Sequence, residues 1–305
     1  DMVICNGGNT AIEITTPTTS TNLPDLQFDV AVGSSNGPAT GGTAFAALSN
    51  QSYPFNITGT LTNSSASVIT VTFTVTPELN NASLCTDGTP VVTTVQVEPT
   101  PLATVTNNDI LICNAANVDI DIANANPSTV GARTFDVGVG SSNPGATGGG
   151  AFIALLAQTY PLNIGGTLTN SSNAVITVTY TVTPKIAGCA DGTPIVTTVQ
   201  VEPTPIAVLT NFASVICNNG NANITVTSPT VPTSPGTDLR FNIIATSSDA
   251  PSTSGTAFVN TNNVSFPFTI NGTLINTSNN IVTVTFEIIP LLSGCPNGTS
   301  VFETV

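Results

Sequence analysis

Apolar and polar residues alternate with period two along three similar segments of this chain: VITVTFTVTP (68–77), VITVTYTVTP (175–184) and IVTVTFEIIP (281–290). Alternation of that kind puts every second side chain on one face, so each segment predicts a β-strand with one apolar and one threonine-rich face. A cysteine follows each, and then a second strand-like run opened by Gly-Thr. The unit is therefore one module in three copies. Aligned on Cys5, Cys113 and Cys217 the copies step by 108 and 104 residues, and on Cys85, Cys189 and Cys295 by 104 and 106. A period near 105 is too long for a solenoid and fits one autonomous domain in a tandem array. The expected division is 1–101, 102–205 and 206–305, the third copy stopping inside its last strand.

Copy two shows the pattern of one module most clearly. A short strand over 110–113 leads into Val118, Ile120 and Ile122, which alternation places on one face, and the two together read as strands A and B. Strand C is expected over 135–139. The Gly-rich stretch 140–150 has no periodicity and predicts a long C–D connection. Strand signals resume over 162–164 and 166–170, where Gly166 suggests a bulge. Strand F is expected over 176–182 and strand G over 195–201, joined by a connection holding Cys189 and the turn dipeptide Asp191-Gly192. About seven short strands with turn signals between them predict an all-β immunoglobulin-like sandwich in each copy.

The joints read VEPTP, at 97–101 and 201–205. Two prolines in five residues favour polyproline II, so these predict stiff spacers and an elongated rod. Strands of ten or eleven residues would give three modules a span on the order of 110 Å.

Composition narrows the functional classes. Charged residues are 7% of the chain, with three basic against seventeen acidic for a net charge of −14, distributed about −7, −4 and −3 over the copies. Without clustered Lys and Arg nothing can track a phosphate backbone, which excludes nucleic acid as a partner. The acidity is spread without a block of like charge and acts as a solubility device. The longest apolar run, 151–157, is far short of the roughly 20 residues a membrane span takes. No membrane insertion is expected in this segment.

There is no His, which removes the base of an acyl-transfer triad and the usual zinc ligand sets. Lys185 stands alone, with Glu78 and Leu291 at its place in the other copies. Asp119 and Asp121 share a strand face, but their counterparts are Ala11 and Glu13, and Asn223 and Thr225, which fits a solvated face. No catalytic residue, metal ligand set or cofactor is expected. The strongest metal alternative is calcium at the joints, using Glu98 or Glu202 with Asn107, Asn108 and Asp109, but the second joint has Asn211 and no acidic match for Asp109. Ten Asn-x-Ser/Thr sequons, Asn56, Asn170 and Asn271 among them, are close to chance in so Asn-, Ser- and Thr-rich a chain. After the Gly-rich loop copy two carries Phe152, Ile153, Leu155 and Leu156, where the other copies are more polar. The shared Phe is expected in the core, and the extra apolar residues are expected to fill that core better rather than to form a contact patch.

The six cysteines, Cys5, Cys85, Cys113, Cys189, Cys217 and Cys295, fall two per copy with no CxxC and predict disulfides, hence an oxidising compartment. Two pairings respect the repeat: within modules (Cys5–Cys85, Cys113–Cys189, Cys217–Cys295) or across joints (Cys85–Cys113, Cys189–Cys217). If the cysteine near strand A and the F–G connection share one pole of the sandwich, the within-module set is expected. The across-joint set would have to span a full strand G, about 35 Å.

The tail of each copy carries a family likeness. The pattern held by 166–170, 175–184, 188–189, 192–194 and 199–205 resembles the PKD-like, immunoglobulin-fold repeats of giant cell-surface adhesins of Bacteroidota, including the gliding-motility adhesin of the SprB type. The resemblance spans all three copies and is most specific in their last 45 residues or so. It implies a non-catalytic stalk or filament segment of a secreted adhesin, exported by the type IX system to the outer surface and serving gliding motility or surface attachment. Its partners would be neighbouring repeats of one long chain and extracellular polysaccharide or a solid surface. Asp1 in place of an initiator Met, and the third copy's short last strand, add the expectation of a segment cut from a longer chain. Relatives would carry Trp near strand C, where this chain has Phe28, Phe135 and Phe241. Two alternatives stay open: a carbohydrate-binding array that uses its B–C loops (16–25, 123–132 and 228–237), which hold no aromatic platform, and a subunit of a self-assembling extracellular filament.

Overall fold

A computed structural model describes residues 2–17, 26–80, 86–233 and 239–305. In copy two, strand A (Ala103–Asn107), strand B (Asn117–Asn124) and strand E (Leu162–Thr167) form one antiparallel sheet in the order A-B-E. The facing sheet has the order A′-G-F-C-C′, from Leu111–Ile112, Ile195–Val201, Ile176–Ile186, Arg133–Ser141 and Leu155–Thr159. A′ pairs with G in parallel, and the other pairings of that sheet are antiparallel. Two facing sheets of this order, sharing the A and A′ pieces of one strand, make an immunoglobulin-like sandwich. The first copy repeats the larger sheet, and the third repeats G, F, C and C′.

Alternation explains the core. Along strand F, Ile176, Val178, Tyr180 and Val182 are buried while the intervening threonines are half-exposed. Register with strand C sets Phe135 opposite Pro184 and Val137 opposite Val182, so a slip of one residue would turn the whole apolar set outward. Phe28, Phe135 and Phe241 are buried at matching places, and each packs on an aromatic ring that precedes a cis proline: Tyr53, Tyr160 and Phe266. Tyr180 donates its hydroxyl to the Ala151 carbonyl at 3.1 Å, and burial pushes that hydroxyl up to about 12. Three separate apolar clusters result, each drawn from one copy. The chain is all-β, a tandem of immunoglobulin-like sandwiches.

Several sequence expectations need correction. Strand A starts at Ala103, not at Ile110: Asn107 donates to the Thr198 carbonyl on strand G and accepts the Asp109 amide, and the chain kinks there and changes sheets. Gly166 has a positive φ of 113°, yet strands B and E pair through it without a register shift. The irregularity lies between C and C′, where the Asp136 carboxylate accepts the Ala157 amide at 2.8 Å. Asn50 and Asn263 are held in the same way by Asp29 and Asn242. Strands C and F run longer than their cores of alternation suggest, and strand G matches 195–201. Phe152 and Leu155 pack partly on the core, but Ile153 and Leu156 are exposed and do not fill it. Among the described residues no helix is long and apolar enough to cross a membrane.

Candidate functional site: the joints between modules

Because strand A runs the length of the sandwich and A′ continues beside G, the residue after A′ lies at the pole where strand G ends. That residue is Cys5 in copy one and Cys113 in copy two. The F–G connection lies at the opposite pole, which faces the preceding module. The cysteines accordingly pair between neighbours: Cys5 with Cys189 and Cys113 with Cys295, at Cα separations of 5.4 and 5.5 Å. This overturns the within-module set and the across-joint set alike. The expectation failed because it put Cys113 at the pole where strand A starts, whereas strand A starts at Ala103 and Cys113 follows A′ at the opposite pole. Cys217 is free and exposed. Cys85 lies outside the described residues.

Around each disulfide the joint is tightly packed. In the linker every residue except Thr100 and Thr204 is buried. The linker therefore packs as part of the joint, beyond its expected role as a spacer. Glu98 is 1% exposed and its Oε1 accepts the backbone amides of Val130 (2.8 Å) and Gly131 (2.5 Å) in the B–C loop of the second module. Glu202 is 6% exposed and receives the Thr233 amide at 3.2 Å on each oxygen. A buried carboxylate is tolerated when amide donors replace its water, so these glutamates act as latches.

Asparagines hold the linker from the other side. Asn63 and Asn170 are buried, and each donates to the last carbonyl of strand G, Val97 or Val201, at 2.9 Å. Asn6 and Asn114, next to the bonded cysteines, donate to Thr100 and Thr204. Asn170 is thus a sequon residue whose amide is already engaged inside the fold. Backbone continuity crosses both joints: the Val68 amide donates to the Ser128 carbonyl (2.9 Å) and the Val175 amide to the Val231 carbonyl (3.1 Å).

Gly192, expected to supply a turn φ value, serves a different purpose, and Gly298 shares it. A Cβ at either would collide with the carbonyl oxygen of Pro101 or Pro205, so glycine is needed for the F–G connection to close against the linker. The fixed signal was visible as Asp-Gly-Thr and Asn-Gly-Thr. Its meaning depends on a neighbour that local sequence does not reveal.

The other candidates disperse. Glu98 faces the B–C loop, while Asn107 binds strand G and Asn108 binds Asp119 and Asp121, so the set weighed for calcium is not brought together. Among the described residues no three Cys, Asp or Glu side chains form a metal-holding group. Asp119 and Asp121 share a face and accept from Asn163 as well, at 2.5 and 2.9 Å. Lys185 pairs with Asp136 at 2.7 Å and Asp191 at 3.6 Å. The Asp136 hydrogen bond pushes the lysine's pKa above its ordinary value. The Ala157 amide and then Lys185 hold the Asp136 carboxyl below its own. A lysine held protonated is no general base. Two of the three B–C loops offered as sugar-contact surfaces are spent at the joints, and most of the first lies outside the described residues.

Comparison with known proteins gives one family and a set of distant shapes. Residues 111–205 match the family of the PKD-like domain. No curated protein matches the chain in sequence. Among solved structures, the Escherichia coli adhesin FdeC is 13% identical with a TM-score of 0.38, over 99% of this chain and 92% of that one. Mouse cadherin-23 EC22-24 is 9% identical with a TM-score of 0.42, over 100% and 94%. The D00-D0 domain of intimin is 11% identical with a TM-score of 0.30, over 66% and 99%.

Proposed function

We propose that this chain is a non-catalytic structural segment of a secreted cell-surface adhesin, a stalk of PKD-like modules (1–101, 102–205 and 206–305) that holds a binding region away from the cell. The observation that carries the reading is the pair of disulfides, Cys5–Cys189 and Cys113–Cys295, which join consecutive modules across buried linkers. A cross-link between neighbours ties one module to the next rather than closing a loop within one sandwich. It fixes the angle between modules, which is what a rod under tension requires. Disulfides persist in oxidising surroundings, which supports an extracellular location. Neighbouring repeats are its first partners, with extracellular polysaccharide or a solid surface met by the parent protein. Gliding motility and type IX export in Bacteroidota follow from the family resemblance of the module tails.

Small-angle scattering of the oxidised chain tests the stalk. Three modules end to end are expected to give a maximum dimension near ~110 Å with a narrow distance distribution. A broad distribution centred well below that length would exclude a rod.

A further inference from the structure

The far pole of the third module carries the same residues that receive a neighbour at the other two joints. Ile281 corresponds to Val68 and Val175, whose amides bond to the next module's B–C loop. Both valines are half-buried, whereas Ile281 is 97% exposed. Cys217 corresponds to the bonded Cys5 and Cys113 and is free and exposed, with Val215 beside it at 89% exposure. Asn276 and Asn218 repeat the hydrogen bond that Asn63 makes with Asn6 and Asn170 with Asn114, so this bond of the asparagine scaffold is already formed. A recess of about 480 Å³ opens among Cys217, Asn276, Ile281 and Val305.

From these correspondences we infer that this pole is a docking face for one further module of the same build, closed by a disulfide between Cys217 and the cysteine of that module's F–G connection. The occupant is specified by continuity with the two filled joints. It must bring a B–C carbonyl to the Ile281 amide, apolar cover to Ile281, and a cysteine at the place of Cys189 and Cys295. Forming the bond joins two thiols as one disulfide with loss of two protons and two electrons. Those electrons pass to a disulfide oxidant such as oxidised glutathione, which is reduced to two thiols. The face is heterologous, so its use extends the array head to tail.

The inference rests on the stalk reading and is tested on the chain extended after Val305 by Glu-Pro-Thr-Pro and a second copy of residues 206–305. Under a glutathione redox buffer, non-reducing peptide mapping is expected to link Cys217 to the F–G cysteine of the added module, and the Ile281 amide to exchange about tenfold more slowly than in the unextended chain. In Cys217→Ser the slower exchange at Ile281 is expected to persist, because docking precedes the covalent bond. If Cys217 stays alkylatable, or links to Cys217 of another molecule, while Cys5–Cys189 and Cys113–Cys295 form, the inference falls and the stalk stands. Loss of those two bonds as well would overturn the stalk.

Discussion

The two joints share a disulfide, a proline-bracketed linker and a buried glutamate, yet among the described residues the first is held by more hydrogen bonds than the second. At the first, Asn126 accepts the Leu102 amide and donates to the carbonyls of Ala66 and Thr100, and Arg133 fixes the Asn126 carbonyl at 2.6 Å. At the second, Thr230 takes that place and accepts only the matching amide, that of Ile206. Glu98 latches two amides, whereas among the described residues Glu202 shares one between its oxygens. The Asn173 carbonyl, counterpart of Ala66, is met instead by the Val231 amide at 2.6 Å. What both joints retain marks the minimum for a joint: the staple, the latch and one backbone bond across the gap. Side-chain hubs add stiffness on top of it.

The largest effect is expected from the staples. In the chain-entropy account a cross-link over loops of this length, 184 and 182 residues, is worth about 5 kcal/mol. Cys113→Ser should loosen the second joint more than Cys5→Ser loosens the first, because fewer hydrogen bonds among the described residues remain there. Hydrogen exchange at the Val175 and Val68 amides measures the two losses, and equal losses would break the comparison. Next in size is the latch. Glu98→Ala takes the charged acceptor from the Val130 and Gly131 amides, a loss of about 3 kcal/mol, while Glu202→Ala takes it from the Thr233 amide, the one such bond among the described residues there, and should cost about half as much. Exchange at Val130, Gly131 and Thr233 reports each directly. The smallest effect sharpens the comparison: Asn126→Thr copies the second joint into the first, keeps the acceptor for Leu102 and removes two donors. It should cost about 2 kcal/mol in joint stability, with the core of module two unchanged.

The strands and the repeat were legible because they rest on local alternation. Strand F shows it plainly, since Ile176, Val178, Tyr180 and Val182 had to face one way wherever the partner sheet lay. The pairing of cysteines was not legible, because it turned on which pole Cys113 occupies. That depended on the short run ATVTN at 103–107, too close to the prolines to stand out as a strand. Glu98 was misplaced for a related reason. In sequence it is a charge between prolines, and only the B–C loop of the next module, folded against it, supplies the amides that allow its burial. Gly192 carried a turn signal whose real constraint is the Pro101 carbonyl. For Glu98 and Gly192 the missing information lay in contacts between modules, which no pattern within one module can encode.

Non-reducing proteolysis and mass spectrometry of the oxidised chain tests the central claim most directly. The account predicts peptides linking Cys5 to Cys189 and Cys113 to Cys295 as the main species, whereas recovery of Cys113 joined to Cys189 would contradict it.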